Sequence, residues 1–522
     1  MRIYIQYITL ILLLISCNNK YNNDHLTIFK YNESSGLNSL DPAFAKDQAS
    51  IWVANQIFNG LVQLDENLNI APSIASSWLI SEDALEYKFI LRDDVYFHDH
   101  NIFKEGKGRR VVASDFKYSF ERLRDKDIVS PGGWILNNIE DFYDLNDTVF
   151  CIKLKKPFPG FLSLLTMQYC SVVPKEIDLY KDFNIDPIGT GPFKFQLWKQ
   201  GVKLVLRRNE NYFEKDAQNN RLPYLDAIAI NFIKDKQTAF LEFIQGNLDF
   251  ISGVDASYID EVLTKEGVLR SKYHDKFTLI SQPYLNTEYL GFLMNETIPL
   301  EIRKAINYGF DRSKMLRYLR NNIGEPANYG IIPPGIPSFT TNINGYNYNI
   351  KEAKRLISES DFDLNNEIIL STNSSYLDLC EYIQYQLSEL GLKIKLNINP
   401  PSTHRDMVAN SKLQFFRASW IADYPDAENY LSLFYSKNLS PNGPNYTHFI
   451  NKKFDELYNS CLSETNLEKR NRLYQEMDQI IIDNAVIVPL YYDEVLRFTQ
   501  KNISGFNCNA INMLDLKTVR KE

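Results

Sequence analysis

Hydrophobic and polar positions along this chain change their period several times, and each change marks an element. Leu85, Tyr87, Phe89 and Leu91 alternate with more polar neighbours, the period-two signature of a half-buried strand. Arg92-Asp93-Asp94 reads as a turn, with Val95-Tyr96-Phe97 returning as the hairpin partner. Upstream, Leu26 to Tyr31 reads as a strand and Ala49 to Asn59 as a helix. Ser114-Asp115 is expected to cap a helix carrying Phe116, Tyr118, Phe120 and Leu123. Gly189-Thr190-Gly191-Pro192 forms a turn before the strands Phe193 to Trp198 and Lys203 to Arg208. The second half is richer in helical spacing. Ile302, Ala305, Ile306 and Gly309 share one face; Phe454, Leu457, Tyr458 and Cys461 share another; Leu473, Met477, Ile480 and Ile481 form a third. Leu413 to Trp420 is an apolar strand, and Val486 to Tyr492 reads as a buried one. Strands and helices interleave throughout, so the fold class is α/β with mixed α+β sheets. No period of about 20–50 residues recurs, which excludes a solenoid.

The longest apolar stretch runs from Ile3 to Ile15, broken by Gln6. It is shorter than the about 20 residues a membrane-spanning helix needs. Preceded by Arg2 and followed by small residues, it has the form of a secretory signal over 1–16. Leu14-Ile15-Ser16-Cys17 resembles a bacterial lipobox, in which Cys17 is lipidated and becomes the new N-terminus. Residues 17–25 then read as a polar, lipidated tether.

The 522 residues suggest two to four domains. There are 57 Lys+Arg against 65 Asp+Glu, a formal charge of -8. That balance lacks the basic excess of a nucleic-acid binder. Cleavage after Ser16 would remove only Arg2 and leave a formal charge of -9. Such a surface suits a body held to the membrane by its lipid rather than by a basic patch. Besides Cys17 there are Cys151, Cys170, Cys380, Cys461 and Cys508, with no CxxC spacing, and buried thiols are the expectation. G-x-S-x-G, H-E-x-x-H and the P-loop are absent, so no enzyme and no cofactor is expected. Gly189-Thr190-Gly191 is followed by Pro192 and strands, unlike a dinucleotide fingerprint, which must open a helix. His98-Asp99-His100 superficially resembles a metal trio but reads as a strand-end turn, and no metal site is expected.

Several segments, in order, resemble one family. They are Gly60-Leu61-Val62 with Leu64-Asp65-Glu66, Pro72 to Trp78, Tyr87 to Arg92, Phe97-His98-Asp99, and Ala113 to Phe116 with Tyr118-Ser119-Phe120. Gly189 to Phe193, Ile302 to Ala305 with Asp311-Arg312, and Trp420 to Asp426 complete the series. Together they resemble the bacterial extracellular solute-binding proteins of the oligopeptide- and dipeptide-binding type, family 5, over about residues 26–515. The resemblance implies a two-lobed periplasmic-binding-protein-like fold of the class II type with an extra small domain. Residues 26–58, 186–283 and 485–522 would form a hinge-side domain, 59–185 the small domain, and 284–484 the opposing lobe. It implies a monomeric lipoprotein on a bacterial membrane, facing the periplasm or the cell exterior. Its partners would be short peptides and the permease and ATPase subunits of an ABC importer. Related proteins carry nickel complexes, sugars or other solutes, and a lipid-anchored hydrolase is the alternative from a different class.

The same resemblance marks the site. Asp423 would receive a peptide's α-ammonium, although a turn role in Asp-Tyr-Pro-Asp is the plain alternative. Trp420 and Tyr424 flank it. Arg417 would either take a short peptide's carboxylate or make a structural ion pair. Trp134, in Ser130-Pro131-Gly132-Gly133-Trp134, and Tyr492 would border the cleft. Asn399-Pro400-Pro401-Ser402 lacks the Trp that some members carry there. Ile421 replaces the Cys that some place beside the motif Trp, and Lys104 to Arg110 is an insertion.

Overall fold

The computed structural model describes residues 26–253, 256–295, 297–507 and 509–522. The signal 1–16, the tether 17–25, Cys17 and Cys508 lie outside the described residues. Among those described, no helix is long and apolar enough to cross a membrane.

One mixed sheet of eleven strands runs through the molecule. Its order is Lys393–Asn399, Glu367–Asn373, Phe415–Ile421, Phe277–Phe292, Ile487–Gln500, Phe250–Ser252, Ile28–Asn32, Ala227–Asn231, Lys203–Arg208 and Phe193–Lys199. Glu325–Pro326 adds to Ile487–Gln500 off this path. Parallel pairs lie on both sides, Glu367–Asn373 with Lys393–Asn399 and Ile28–Asn32 with Ala227–Asn231. Antiparallel pairs join them in the middle.

The two central strands explain the layout. Phe277–Phe292 and Ile487–Gln500 pair antiparallel from Phe277 opposite Gln500 to Gly291 opposite Ile487. Phe277 and Phe498, at one end, belong to a core with Phe243 and Leu248. Leu290 and Val488, at the other end, belong to a separate core with Ile302, Ile306 and Ile383. A core built from Phe29 to Phe232 and Ile503 to Val519 lies on the first side. The strand pair therefore ties two separately packed halves together. Its register breaks between Pro283 and Thr287, and again at Glu288. Such an irregularity bends a strand and re-aims its side chains.

A four-stranded antiparallel sheet packs into the first half, in the order Ala75–Ile80, Glu86–Leu91, Val149–Leu154, Ile139–Asn146. Helix Ala113–Arg124 covers it, with Phe116 and Phe120 each within 6 Å of the Phe150 ring. Two local expectations are corrected here. The strand at Glu86–Leu91 takes Val149–Leu154 and Ala75–Ile80 as neighbours, and Val95-Tyr96-Phe97 is not its hairpin partner. Tyr96 instead bridges to Arg110 alone. The helix starts earlier than Ser114-Asp115 suggested. Val112 occupies the cap position, and Asp115 lies within the first turn, its carboxylate accepting the Val112 N–H at 3.0 Å. Ion pairing of Asp115 with Arg109 at 2.6 Å ties the charged loop Lys104 to Arg110 to this helix.

Candidate functional site

A cavity of about 460 Å³ lies where the two halves face each other. One wall comes from Ala45, Lys46, Gln48, Ile51 and Trp52, with Leu64, Trp134, Thr166 to Tyr169 and Ile511 to Met513. The other comes from Tyr284, in the irregular stretch of the central strand, and from Ile421, Ala422, Asp423 and Pro425. Its size falls within the about 300–1,000 Å³ of small-ligand pockets.

The polar centre of the second wall is built locally. Strand Phe415–Ile421 ends at Ile421, and the chain bends through Asp423-Tyr424-Pro425 before the short helix Glu428–Leu431. Asn429, buried on that helix, organises the bend. Its Oδ1 accepts the Trp420 indole N–H at 2.7 Å and the Asp423 backbone N–H at 3.2 Å. Its Nδ2 donates to Asp423 Oδ2 at 3.4 Å. Asp423 is open to the cavity but surrounded by protein, and the desolvation holds its carboxyl above the usual range, with Asn429 partly opposing that. Among the described residues no cation pairs with it. Across the cavity, burial pushes the Tyr169 phenol up to about 12, and the negative charge of Asp423 adds to that shift. Tyr169 also supports the Trp134 loop. A Cβ on Gly132 would lie 2.4 Å from the Tyr169 ring, so only glycine permits this packing. Trp134 itself is 41% exposed and lines the cavity.

Of the residues singled out in the sequence, Asp423 and Trp134 meet in this cavity. The other four do not line it. Arg417 pairs with Glu288, and its guanidinium carbon lies 3.2 Å from the centre of the Tyr376 ring. The guanidinium is thus engaged internally by Glu288. A buried ion pair of this kind costs about 3–5 kcal/mol to break by removing one partner. Trp420 directs its N–H away to Asn429. Tyr424 is buried, hydrogen-bonded to Glu428, and sets its ring edge-on to Phe158 at 6.1 Å. Tyr492 is buried and donates to the Gly330 carbonyl at 2.9 Å. Sequence reasoning missed Asn429, Lys46, Tyr169 and Tyr284. Only Asn429 had a local signal, lying six residues beyond Asp423.

The features that resembled other chemistry have structural roles. His98 is buried with Nε2 2.9 Å from the Gly191 carbonyl, and burial pulls its imidazole down to about 4. His100 turns to Asp186 at 3.3 Å, and Asp99 to Lys107 at 2.8 Å. The three side chains have three separate partners, and the described residues contain no cluster suited to a metal ion. Cys151, Cys170, Cys380 and Cys461 are buried free thiols.

Residues 69–442 match the family described as bacterial extracellular solute-binding proteins, family 5 Middle. The glutathione-binding protein GsiB of Salmonella typhi is 24% identical over 486 residues, covering 90% of each chain. Heme-binding protein A of Haemophilus influenzae is 27% identical over 483 residues, covering 87% of this chain and 84% of its own. The periplasmic binding protein DppA from Helicobacter pylori, solved with the peptide STSA, superposes with a TM-score of 0.75 at 23% identity. That match covers 95% of this chain and 98% of the other.

Proposed function

Because the chain belongs to the bacterial extracellular solute-binding proteins of family 5, two-lobed proteins that serve ABC importers, we propose that it is a lipoprotein capturing short peptides between its lobes and delivering them to a membrane permease. Residues 26–58, 186–283 and 485–522 act as the hinge-side domain, 59–185 as the small domain on it, and 284–484 as the opposing lobe. Cys17 carries the lipid, so the body stays at a bacterial membrane and faces the periplasm or the exterior. Pumping and ATP hydrolysis belong to other chains.

The observation that carries the peptide reading is the unpaired carboxylate of Asp423 at the wall of the interlobe cavity. A primary ammonium offers three donors to such a group. A charge-assisted hydrogen bond contributes about 1.5–3 kcal/mol net, and an uncompensated carboxylate disfavours ligands without the amine. Trp420 acts through Asn429, and Trp134 and Tyr169 supply aromatic walls that tolerate varied side chains. Arg417 keeps the strand end in place through Glu288.

Native mass spectrometry of the purified full-length protein tests this directly. A heterogeneous set of co-purified peptides is the expected result. A bound sugar or metal complex in their place would sink the peptide reading. Asp423→Ala should weaken peptide binding roughly ten- to a hundredfold; unaltered affinity removes the anchor role.

A further inference from the structure

The interlobe cavity has nineteen lining residues, and only two of them have a basic or carboxylic side chain, Lys46 and Asp423. They come from opposite walls. Lys46 follows the turn Pro42–Phe44 and precedes the helix Gln48–Ile57. Its backbone N–H donates to the Phe44 carbonyl at 2.8 Å, which fixes the base of the side chain. The ammonium makes no ion pair or hydrogen bond among the described residues. The neighbouring carboxylates are engaged elsewhere. Asp47 caps the helix through Ser50 N at 3.0 Å, and Asp41 pairs with Arg122 at 2.7 Å. Arg417, the cation that the sequence offered for a ligand carboxylate, is held by Glu288.

Resting on the reading of Asp423 as the amine anchor, we propose that Lys46 receives the ligand's carboxylate, so that the cavity selects zwitterions with one charge for each lobe. An uncompensated cation and an uncompensated anion facing the same space favour a ligand with the opposite polarity at its two ends. Each end then contacts a different half of the protein, and the ligand itself draws the halves together. Size points the same way. A sphere of the cavity's volume is about 10 Å across, the span of about three extended residues. Longer peptides would carry their carboxylate past Lys46. The ligand class is therefore short peptides with a free amino and a free carboxyl terminus.

The test uses the full-length protein and three pools of mixed-sequence tripeptides: unmodified, amidated at the C-terminus, and acetylated at the N-terminus. Titrations followed by native mass spectrometry compare the wild type with Lys46→Ala and Lys46→Arg. The wild type should prefer the unmodified pool over the amidated one by roughly tenfold or more. Lys46→Ala should bind those two pools equally, Lys46→Arg should restore the preference, and acetylation should weaken binding to all three proteins. Lys46→Gln gives the same comparison if alanine perturbs the fold. Equal wild-type binding of acid and amide, with acetylation still harmful, overturns the role of Lys46 and leaves that of Asp423 standing. A preference that survives Lys46→Ala does the same. Binding indifferent to acetylation overturns the Asp423 reading and this inference with it, as does failure of all three pools to bind.

Discussion

Asp423 and Asp478 are both held above the ordinary carboxyl range by desolvation, yet they are placed for different ends. Asp423 looks into the cavity, so a ligand can supply what desolvation withholds. Asp478 is sealed inside. It accepts the Ile331 N–H at 2.8 Å and the Ile332 N–H at 3.3 Å, but burial outweighs both and pushes it up to about 7. The consequence for stability follows from linkage. Unfolded, the group titrates near 3.8; folded, near 7. The native state therefore holds a proton that the unfolded chain releases between those values. The stabilisation is complete below pH 3.8 and is lost as pH rises through about 7. Asp478→Asn, which stays neutral, should flatten the pH dependence of the urea midpoint between about pH 4 and 7. An unchanged slope would assign that dependence to other groups. Asp423 acts with the opposite sign on binding: as pH falls and its carboxyl takes a proton, affinity for an ammonium should decline.

At the scale of elements, Gly189-Thr190-Gly191 shows what its composition serves. The Gly191 N–H donates to the Ile57 carbonyl at 2.8 Å, at the end of the helix Gln48–Ile57, and the His98 N–H donates to the Gly189 carbonyl at 2.8 Å. A Cβ on Gly189 would lie 2.0 Å from the Ile57 carbonyl oxygen. The obstacle is backbone, so no rotamer change relieves it. The turn locks the helix that starts beside Lys46 to the strand pair Phe193–Lys199 and Lys203–Arg208, and so sets one wall of the cavity. Gly189→Ala should destabilise by about 1–3 kcal/mol. Urea denaturation checks this, and a variant as stable as the wild type would mean that the helix shifts freely against the turn.

Across the whole molecule, the paired strands Phe277–Phe292 and Ile487–Gln500 join two separate cores, and their irregular middle stretch carries Tyr284 into the cavity. Tyr424, from the second half, packs into the core of the first and lies against Gly160 and Phe158. A ligand in the cavity adds a further link between the halves. Binding to the folded form alone contributes about 2.7 kcal/mol at a hundredfold excess over Kd. Saturating mixed tripeptides should therefore raise the melting midpoint by a few degrees, as read by calorimetry. The gain should vanish in Asp423→Ala; an equal gain there would place the peptides elsewhere.

Much of this architecture was legible because it depends on neighbours in the chain. The helix Lys452–Cys461 and the helix Leu467–Asp483 appear where their apolar spacing put them, since one buried face at a period near 3.6 needs no distant partner to be recognised. Asp423 stood out through its motif, and Trp134 through its loop. The strand Phe277–Phe292 stayed hidden because Pro283 and the polar residues around it blur the alternation on which such a reading rests. Partner choice was harder still. Arg417 is matched to Glu288, 129 positions earlier, because strands Phe277–Phe292 and Phe415–Ile421 lie side by side in one register. Lys46 reaches the same cavity as Asp423 because two halves of the fold face each other there. Local periodicity determined the elements, and the resemblance to a family marked the amine-anchoring candidate. Only the tertiary structure decided which charges remain unpaired, because pairing is settled by distances between segments that the order of residues does not contain.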